Sequence, residues 1–466
     1  MADPSSYLPL TWQSVKQTHT RIESYIHRTP LITSRTLNKI ASSPNPSAYL
    51  RDDPPGIWSD EDVPTTNNND QQNTPPTFNL YFKMENHQRI GAFKARGAFS
   101  AITHLANPST DSNLPGVGID DLRQRGVITH SSGNHAQALA LAASTLNVPA
   151  WIVMPTISTK SKISGTKGHR GVTVVFSGST APEREEVVER VIQERREEMG
   201  GGGGQILVPP YDHVDIVLGQ GTAGMEAEEQ FRVMKASGKI CSAAADGSSG
   251  TGGEGMNGDG QEARFDAVLT PLGGGGLLSG VATWYSRTSD GKGKKTLVFG
   301  CEPNFEDAND GERGLASNPP ERIPHVKTLT IADGLRTPVG IIPWSMISDK
   351  SKVEGVFSVS EMEIKMALKL MMERAKVIIE PSSAVPVAVV LFNERFRRFV
   401  AEKQRHEGGG RAWDVGIVIS GGNTTVEGLS KLYGENWQGK EDKFEAERQT
   451  GEVGMDGRRE AEDVAG

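Results

Sequence analysis

Cysteine is scarce in this 466-residue chain: only Cys241 and Cys301 are present. Two are too few for a disulfide framework and lack metal-ligand spacing, so the chain suits a reducing compartment and a cytoplasmic location is expected. An excess of basic residues is also missing. The net charge is -8 and the Lys and Arg positions are scattered, which argues against a nucleic-acid or anionic-membrane partner. The most apolar run, 377–392, is broken by Glu380, Pro381 and Pro386, so no membrane span is expected. Met1-Ala2-Asp3-Pro4-Ser5 has neither a basic region nor an apolar core, and no secretory signal is expected. Three familiar signatures are absent as well: a Walker lysine, the dinucleotide glycine fingerprint at the head of a first βαβ unit, and a Gly-x-Ser-x-Gly elbow. Nucleotide cofactors and hydrolysis by a nucleophilic serine are thereby disfavoured.

What is present is an alternation of short β-branched runs with helical patterns. Strands are predicted at 79–83, 126–129, 149–154, 172–176, 265–270, 296–301 and 414–419. Helices are predicted at 94–105, 134–146, 159–168, 183–198, 219–235, 275–286, 359–375 and 384–398. Apolar strands separated by helices imply an α/β protein with two open, mostly parallel sheets flanked by helices. Residues 42–77, rich in Pro, Asn and Asp, read as a disordered insertion because they bury too little apolar surface to offset their ordering entropy. The Gly-rich segments 200–204 and 236–263 read as mobile loops, and the polar tail 437–466 as frayed or disordered. The expected organisation is a large domain from 1–124 and 207–436, with a smaller mobile domain, 125–206, between its two segments.

Four motifs carry chemistry. After the first long strand, Gly91-Ala92-Phe93-Lys94 places a lysine at a helix start, where the positive helix end lowers an amine's pKa and favours a nucleophilic form. A solvated surface lysine is the plainer alternative. His130-Ser131-Ser132-Gly133-Asn134-His135 follows a strand and opens an alanine-rich helix, so its hydroxyl, amide and backbone N–H groups suit a carboxylate, although Ser and Asn also cap helices for local reasons. Gly273-Gly274-Gly275-Gly276 lies between a strand and a helix, where bare backbone can aim several N–H groups at a phosphate; a flexible linker is the competing reading. Near the C-terminus, the strand 415–419 ends in Ser420-Gly421-Gly422-Asn423, which puts a hydroxyl in the crevice where open α/β sheets bind ligands, or simply caps a helix.

Taken in order with Ala332-Asp333-Gly334 and Glu380-Pro381-Ser382, these motifs resemble the pyridoxal-phosphate enzymes of fold type II, the tryptophan synthase beta-like fold. The nearest branch is that of serine racemases, serine/threonine dehydratases and threo-3-hydroxyaspartate dehydratases. The resemblance runs from about residue 11 to 435, outside the main insertions. It implies Lys94 as the Schiff-base lysine, Phe93 packing against the pyridine ring and Asn134 donating to the ring 3'-oxygen. It further implies Gly273, Gly274, Gly275 and Gly276 at the phosphate, Gly334 along the ring's other side and Ser420 at the pyridine nitrogen. A neutral hydroxyl there makes a weaker electron sink than a carboxylate would, which favours elimination over transamination.

The implied reaction is a dehydratase (ammonia-lyase) reaction on L-serine, L-threonine or 3-hydroxyaspartate, giving a 2-oxo acid and ammonia. Ser131, Ser132, Asn134 and His135 would grip the substrate carboxylate, and Lys94 would take the α-proton. In racemases of the family the residue matching Ser132 acts on the opposite face, so serine racemase is the alternative, and an inactive cofactor-binding protein a further one. Arg184, within 182–188, resembles an arginine that reaches the substrate pocket, though a solvated helix face also accounts for it. Ala92 departs from the family's usual serine. Many members bind Mg2+ or Ca2+ through a Glu-Pro pair and an Asp six residues later; here Glu302 is kept but the sixth residue is Ala308, leaving Asp307 or Asp310 as substitutes. A small amino-acid substrate and a homodimer are expected.

Overall fold

The computed structural model describes residues 9–51, 74–107, 117–131, 133–201, 203–238, 263–287, 295–409 and 411–434. Ser132, Cys241, the tail beyond 434 and most of the two long insertions therefore lie outside the described residues. The strands, in chain order, are β1 (Leu31–Thr33), β2 (Phe78–Met84), β3 (Val127–His130), β4 (Ala150–Pro155), β5 (Val172–Ser177), β6 (Ile206–Leu207), β7 (Ala267–Pro271), β8 (Leu297–Pro303), β9 (Gly355–Val359) and β10 (Trp413–Ile419).

They form two sheets. The larger has the order β1-β2-β10-β7-β8-β9, and the smaller β5-β4-β3-β6. Every pairing is parallel except β1 with β2. The central strand β10 explains the pattern: Val415, Ile417 and Ile419 alternate with Gly416 and Val418, all seven of its residues are buried, and Ile417 stands level with Phe82 and Leu269 on its two neighbours. A strand covered on both faces needs apolar or small residues at every position. Charged residues interrupt the rule at Asp414 of β10, Glu302 of β8 and Lys83 of β2. Lys83 of β2 is fully buried, with its amine 2.6 Å from Glu226.

Helix Pro381–Phe392 is buried all round and packs against the larger sheet. Helix Lys94–Ala106 packs against both Asn134–Thr145, which lies on the smaller sheet, and Val214–Ala236. It is thus the element that joins the two layers, and it starts at the lysine singled out above.

Several sequence expectations are corrected. The helix expected over 384–398 is two helices, Pro381–Phe392 and Glu394–His406, because Asn393 leaves helical geometry and its side-chain oxygen accepts the Phe396 amide as a new N-cap. The helix expected over 359–375 ends at Leu370 and continues as one wider turn, Met371–Ala375, closed by Lys376 in the left-handed region. Strands β6 and β9 and helices such as Asp310–Ala316 and Ile341–Ile347 were not expected from local pattern. The segment read as disordered from residue 42 is ordered as far as Leu50: Pro46–Leu50 forms a 3-10 turn that buries Tyr49 and Leu50 in the core. At the 200–204 run, Gly200 and Gly201 adopt positive φ and return their amides to Glu197 and Arg196, closing helix Ala181–Glu198. Among the described residues no helix is long and apolar enough to cross a membrane.

Candidate active site

The predicted residues come together where the carboxyl ends of β2, β3, β7 and β10 meet. After β2 the chain turns through Ile90 and Gly91, both at positive φ, and is stitched to the segment after β10 by three hydrogen bonds. The Phe93 amide donates to the Ser420 carbonyl at 3.0 Å, the Gly422 amide to the Gly91 carbonyl at 2.9 Å, and the Asn423 side chain to the Ile90 carbonyl at 2.8 Å. Ala92, fully buried and bridged to Gly421, packs its methyl into this seam. The turn thus holds Lys94 and Ser420 in one rigid unit.

Lys94 is the first residue of its helix. Its amine donates to the Pro210 carbonyl at 2.8 Å and lies 5.3 Å from the centre of the Phe93 ring. Burial brings its pKa down to about 8, with the charge of Glu380 working in the opposite direction. About a tenth of the amine is therefore unprotonated at pH 7, far more than for an ordinary lysine.

The four glycines form a closed cradle. All are buried, and Gly275 takes the left-handed conformation that only glycine adopts without strain. A Cβ on Gly274 would land inside the Tyr211 ring, and one on Gly273 would meet Leu335 and the Gly334 carbonyl within 3.1 Å. Backbone exposed in this way, at the start of helix Gly276–Tyr285, suits a phosphate. Gly274→Ala should weaken capture of pyridoxal phosphate, on the order of ten- to a hundredfold for an overpacking penalty of about 1–3 kcal/mol. A cofactor titration of the apoprotein checks this, and an unchanged dissociation constant would remove the cradle from the site.

Asn134 opens helix Asn134–Thr145. Its amide nitrogen donates to both oxygens of Glu380, at 3.1 and 3.3 Å, and its oxygen accepts from Asn423 at 2.8 Å. Ser131 accepts the Gly133 amide on its hydroxyl. Gly334 donates its amide to Ser382. Ser420 is 2 % exposed and lies 2.9 Å from the Ser383 hydroxyl. Arg184 donates to the Ser179 carbonyl, and its charge is felt by His130 and Tyr211, which puts it on the side of the Ser131 turn.

Two expected ligands are not where sequence put them. His135 is buried with Nε2 3.3 Å from the Val208 carbonyl, so that nitrogen carries the proton and Nδ1 has none to donate. Burial, reinforced by Lys94, lowers its pKa to about 3 and leaves the ring neutral. Its side chain ties the helix to the segment after β6 and cannot donate to a substrate carboxylate. Asp307 is exposed and faces Arg313 at 3.6 Å. Glu302 is fully buried, with its oxygens accepting the Gly311 and Glu312 amides, and Asp310 accepts the Val339 amide. Burial raises the pKa of Glu302 well above the carboxylate range, with Asp310 adding to it, and burial raises Asp310 to about 6. Among the described residues no group of three or more His, Cys, Asp or Glu could hold a metal ion; Asp307 turns to Arg313, while Asp310, the other substitute, is near enough for its charge to act on Glu302.

Sequence reasoning gave no role to neighbours from three segments of the chain. Pro210 and Tyr211 supply the lysine's acceptor and the wall of the glycine cradle. Lys162 reaches across from the smaller sheet's side to Asp333 at 2.5 Å, and passes within 4.0 Å of where a Gly133 side chain would begin. Glu380 is the third. Burial, with Asp333 second, pushes its pKa up to about 7, while Asn134 and Lys162 oppose the shift. A raised folded-state value means its stabilising share is fully present below the unfolded value of 4.5 and lost as pH rises through about 7. The expectation is that the Glu380→Gln apoprotein gains roughly 3 kcal/mol relative to wild type between pH 4.5 and pH 8. Urea unfolding of both proteins across that range measures it; parallel curves would contradict the assignment.

Comparison with known proteins agrees with this geometry. Residues 70–405 match the model of a family described as pyridoxal-phosphate dependent enzymes. Serine racemase of Dictyostelium discoideum is 32% identical over 423 residues, covering 91% of this chain and 98% of that protein. L-threo-3-hydroxyaspartate ammonia-lyase of Saccharomyces cerevisiae is 31% identical over 434 residues, covering 93% and 98%. Among solved structures, maize serine racemase aligns with a TM-score of 0.64 at 28% identity, covering 94% of this chain and 99% of that one. A threonine deaminase from T.th. gives 0.59 at 30% identity, covering 89% and 99%.

Proposed function

This chain belongs to the pyridoxal-phosphate dependent enzymes of fold type II, and we propose that within them it is an ammonia-lyase of 3-hydroxy amino acids. L-serine, L-threonine or 3-hydroxyaspartate would be converted to a 2-oxo acid and ammonia. The observation that carries the reading is the fixed seam joining Lys94 to Ser420: it sets a partly deprotonated amine and a neutral hydroxyl at one site, beside a glycine cradle that excludes side chains.

The residues present fit the cofactor. Gly273 to Gly276 would hold its phosphate, Phe93 and Gly334 its ring faces, Asn134 its 3'-oxygen and Ser420 its ring nitrogen. When bound, pyridoxal phosphate supplies an electron sink for the carbon that bears the substrate's amino group. Lys94 would carry the proton taken from that carbon, helped by a pKa near the working pH. The Ser131 hydroxyl and the backbone amides opening helix Asn134–Thr145 would hold the substrate carboxylate, with the Lys162 amine close to Gly133 as a nearby cation. The 3-hydroxyl takes up a proton and leaves as water, and the released enamine tautomerises to an imine whose hydrolysis gives the 2-oxo acid and ammonia.

A second reading, serine racemase with side elimination, is favoured by the serine racemases among the relatives. Ser132 is then the residue expected to serve the face opposite Lys94. Assaying the holoenzyme on L- and D-serine, L-threonine and the 3-hydroxyaspartate diastereomers, for oxo acid and for enantiomer interconversion, separates the readings. Oxo acid as the main product supports the lyase. D-serine from L-serine with only trace oxo acid would replace it by the racemase.

A further inference from the structure

Asp212 follows directly on Pro210, which holds Lys94, and Tyr211, which walls the glycine cradle. Its carboxylate reaches a second segment that borders the same cradle. One oxygen accepts the Ile341 amide at 2.9 Å and the other the Ile342 amide at 2.8 Å. Gly340 leaves room for this approach, since a Cβ there would come 2.7 Å from the Asp212 carboxyl carbon, and its amide donates to the Gly274 carbonyl at 3.1 Å. Pro343, in the same segment, closes on Gly275, whose Cβ would meet it at 2.6 Å. Tyr211 for its part lies along two of the four glycines: its ring covers Gly274, and its backbone passes within 3.4 Å of where a Gly276 side chain would begin. Segments 210–212 and 340–343 thus both pack on the cradle, and the Asp212 carboxylate joins them.

We infer that Asp212 is a positioning residue for the cofactor's phosphate: by bonding to Ile341 and Ile342 it keeps the Tyr211 ring closed against Gly274, so that the cradle is already shaped when a phosphate arrives. This rests on the proposed placement of that phosphate at Gly273 to Gly276. The chain on either side shows why a tie is needed. Before Pro210, the Val208 amide donates to the Ile128 carbonyl at 2.9 Å and the Val208 carbonyl accepts from His135. After Asp212, His213 caps helix Val214–Ala236 by accepting the Asp215 amide. Tyr211 and Asp212 lie in the short irregular stretch between these anchors, where an untied backbone keeps conformational freedom. Bonds from an amide to a carboxylate are stronger than neutral ones. Without them the ring would cover Gly274 for only a fraction of the time, and the apparent dissociation constant would rise by the inverse of that fraction. A plain helix cap would act differently: helix Ile341–Ile347 would lose stability, with no preference for ligands that carry a phosphate.

The test compares pyridoxal phosphate with pyridoxal, which lacks the phosphate, in titrations of the apoprotein followed by visible absorption. Asp212→Ala is expected to weaken pyridoxal phosphate roughly ten- to a hundredfold, the strength of one charge-assisted bond, and to leave pyridoxal within about twofold of wild type. Asp212→Asn, which keeps one acceptor oxygen, is expected between wild type and Asp212→Ala. Gly274→Ala serves as the control for the underlying reading. If Gly274→Ala weakens pyridoxal phosphate selectively and Asp212→Ala does not, the role of Asp212 is overturned while the cradle stands. If neither variant discriminates between the two ligands, the phosphate does not lie in the cradle and both fall together. Equal losses of both ligands in Asp212→Ala would make Asp212 a support of the fold alone and overturn the proposal. Should Asp212→Ala not fold, Asp212→Asn decides by the same ratio.

Discussion

Lys94→Ala is expected to abolish ammonia release from every 3-hydroxy amino acid tested, a loss of at least about a thousandfold in kcat. The size follows from what stands around the amine. Lys94 Nζ is held by the Pro210 carbonyl, and its nearest charged influence is Glu380. Neither Lys83 nor Lys162 replaces it: Lys83 is committed to Glu226, Gln230 and the Thr29 carbonyl, and Lys162 to Asp333. The same environment predicts a pH signature. Because burial lowers the Lys94 pKa to about 8, capture of pyridoxal phosphate by the apoprotein should accelerate as pH rises through 8 and then level off. An ordinary lysine would go on accelerating toward its model value of 10.5. Steady-state assays of the variant and stopped-flow capture by wild type are the measurements. Turnover of Lys94→Ala within tenfold of wild type would remove the lysine from its role.

The place of Lys94 at a helix start could be read from sequence because everything that marks it is local. A buried strand, a glycine-bearing turn and a helix start follow one another within twenty residues, and the four-glycine loop is announced by the apolar strand directly before it. Parallel strands covered on both faces advertise themselves as unbroken apolar runs, so β2, β7, β8 and β10 were legible. β6 has two residues, and β9 has Ser358 within it, so neither makes a pattern. His135 shows the limit from the other side. Its place in the Ser-Ser-Gly-Asn-His turn looks identical whether the ring faces a substrate or the core, and only the approach of Val208, far along the chain, decides. Tyr211 against Gly274, Lys162 against Asp333 and Ser383 against Ser420 are likewise pairings between distant segments. Asp307 failed for a related reason: a carboxylate with two routes, into the core or toward Arg313, takes the one that leaves it hydrated.

Arg96, two residues beyond Lys94, carries the largest expected stability effect, and it too was invisible in the sequence. Its guanidinium is fully buried and forms a paired contact with Glu85, at 2.7 and 2.8 Å, and two bonds of 2.8 Å to Glu226. Lys83 completes the cluster at 2.6 Å from Glu226, and Thr29 donates its hydroxyl to Glu85. Two cations and two carboxylates balance out of water. Burial alone would raise the pKa of Glu226; Arg96 first, then Lys83, reverse this and bring it down to about 2. Arg96→Met keeps much of the volume but leaves two buried carboxylates facing one ammonium, and should destabilise the protein by about 3–5 kcal/mol. Because the pKa of Glu226 is depressed, its share of stability is present above the unfolded value of 4.5 and lost as pH falls through about 2. The Arg96→Met penalty should therefore be largest near neutral pH and shrink in acid, as the stranded carboxylates take up protons. Glu85→Gln added to Arg96→Met should recover part of the loss by removing one of the unpaired charges. Urea unfolding of the two variants and wild type at neutral and acid pH gives all three numbers. A neutral-pH penalty under about 1 kcal/mol would mean that water reaches the cluster, and that the turn carrying Lys94 is held by its seam to Ser420 alone.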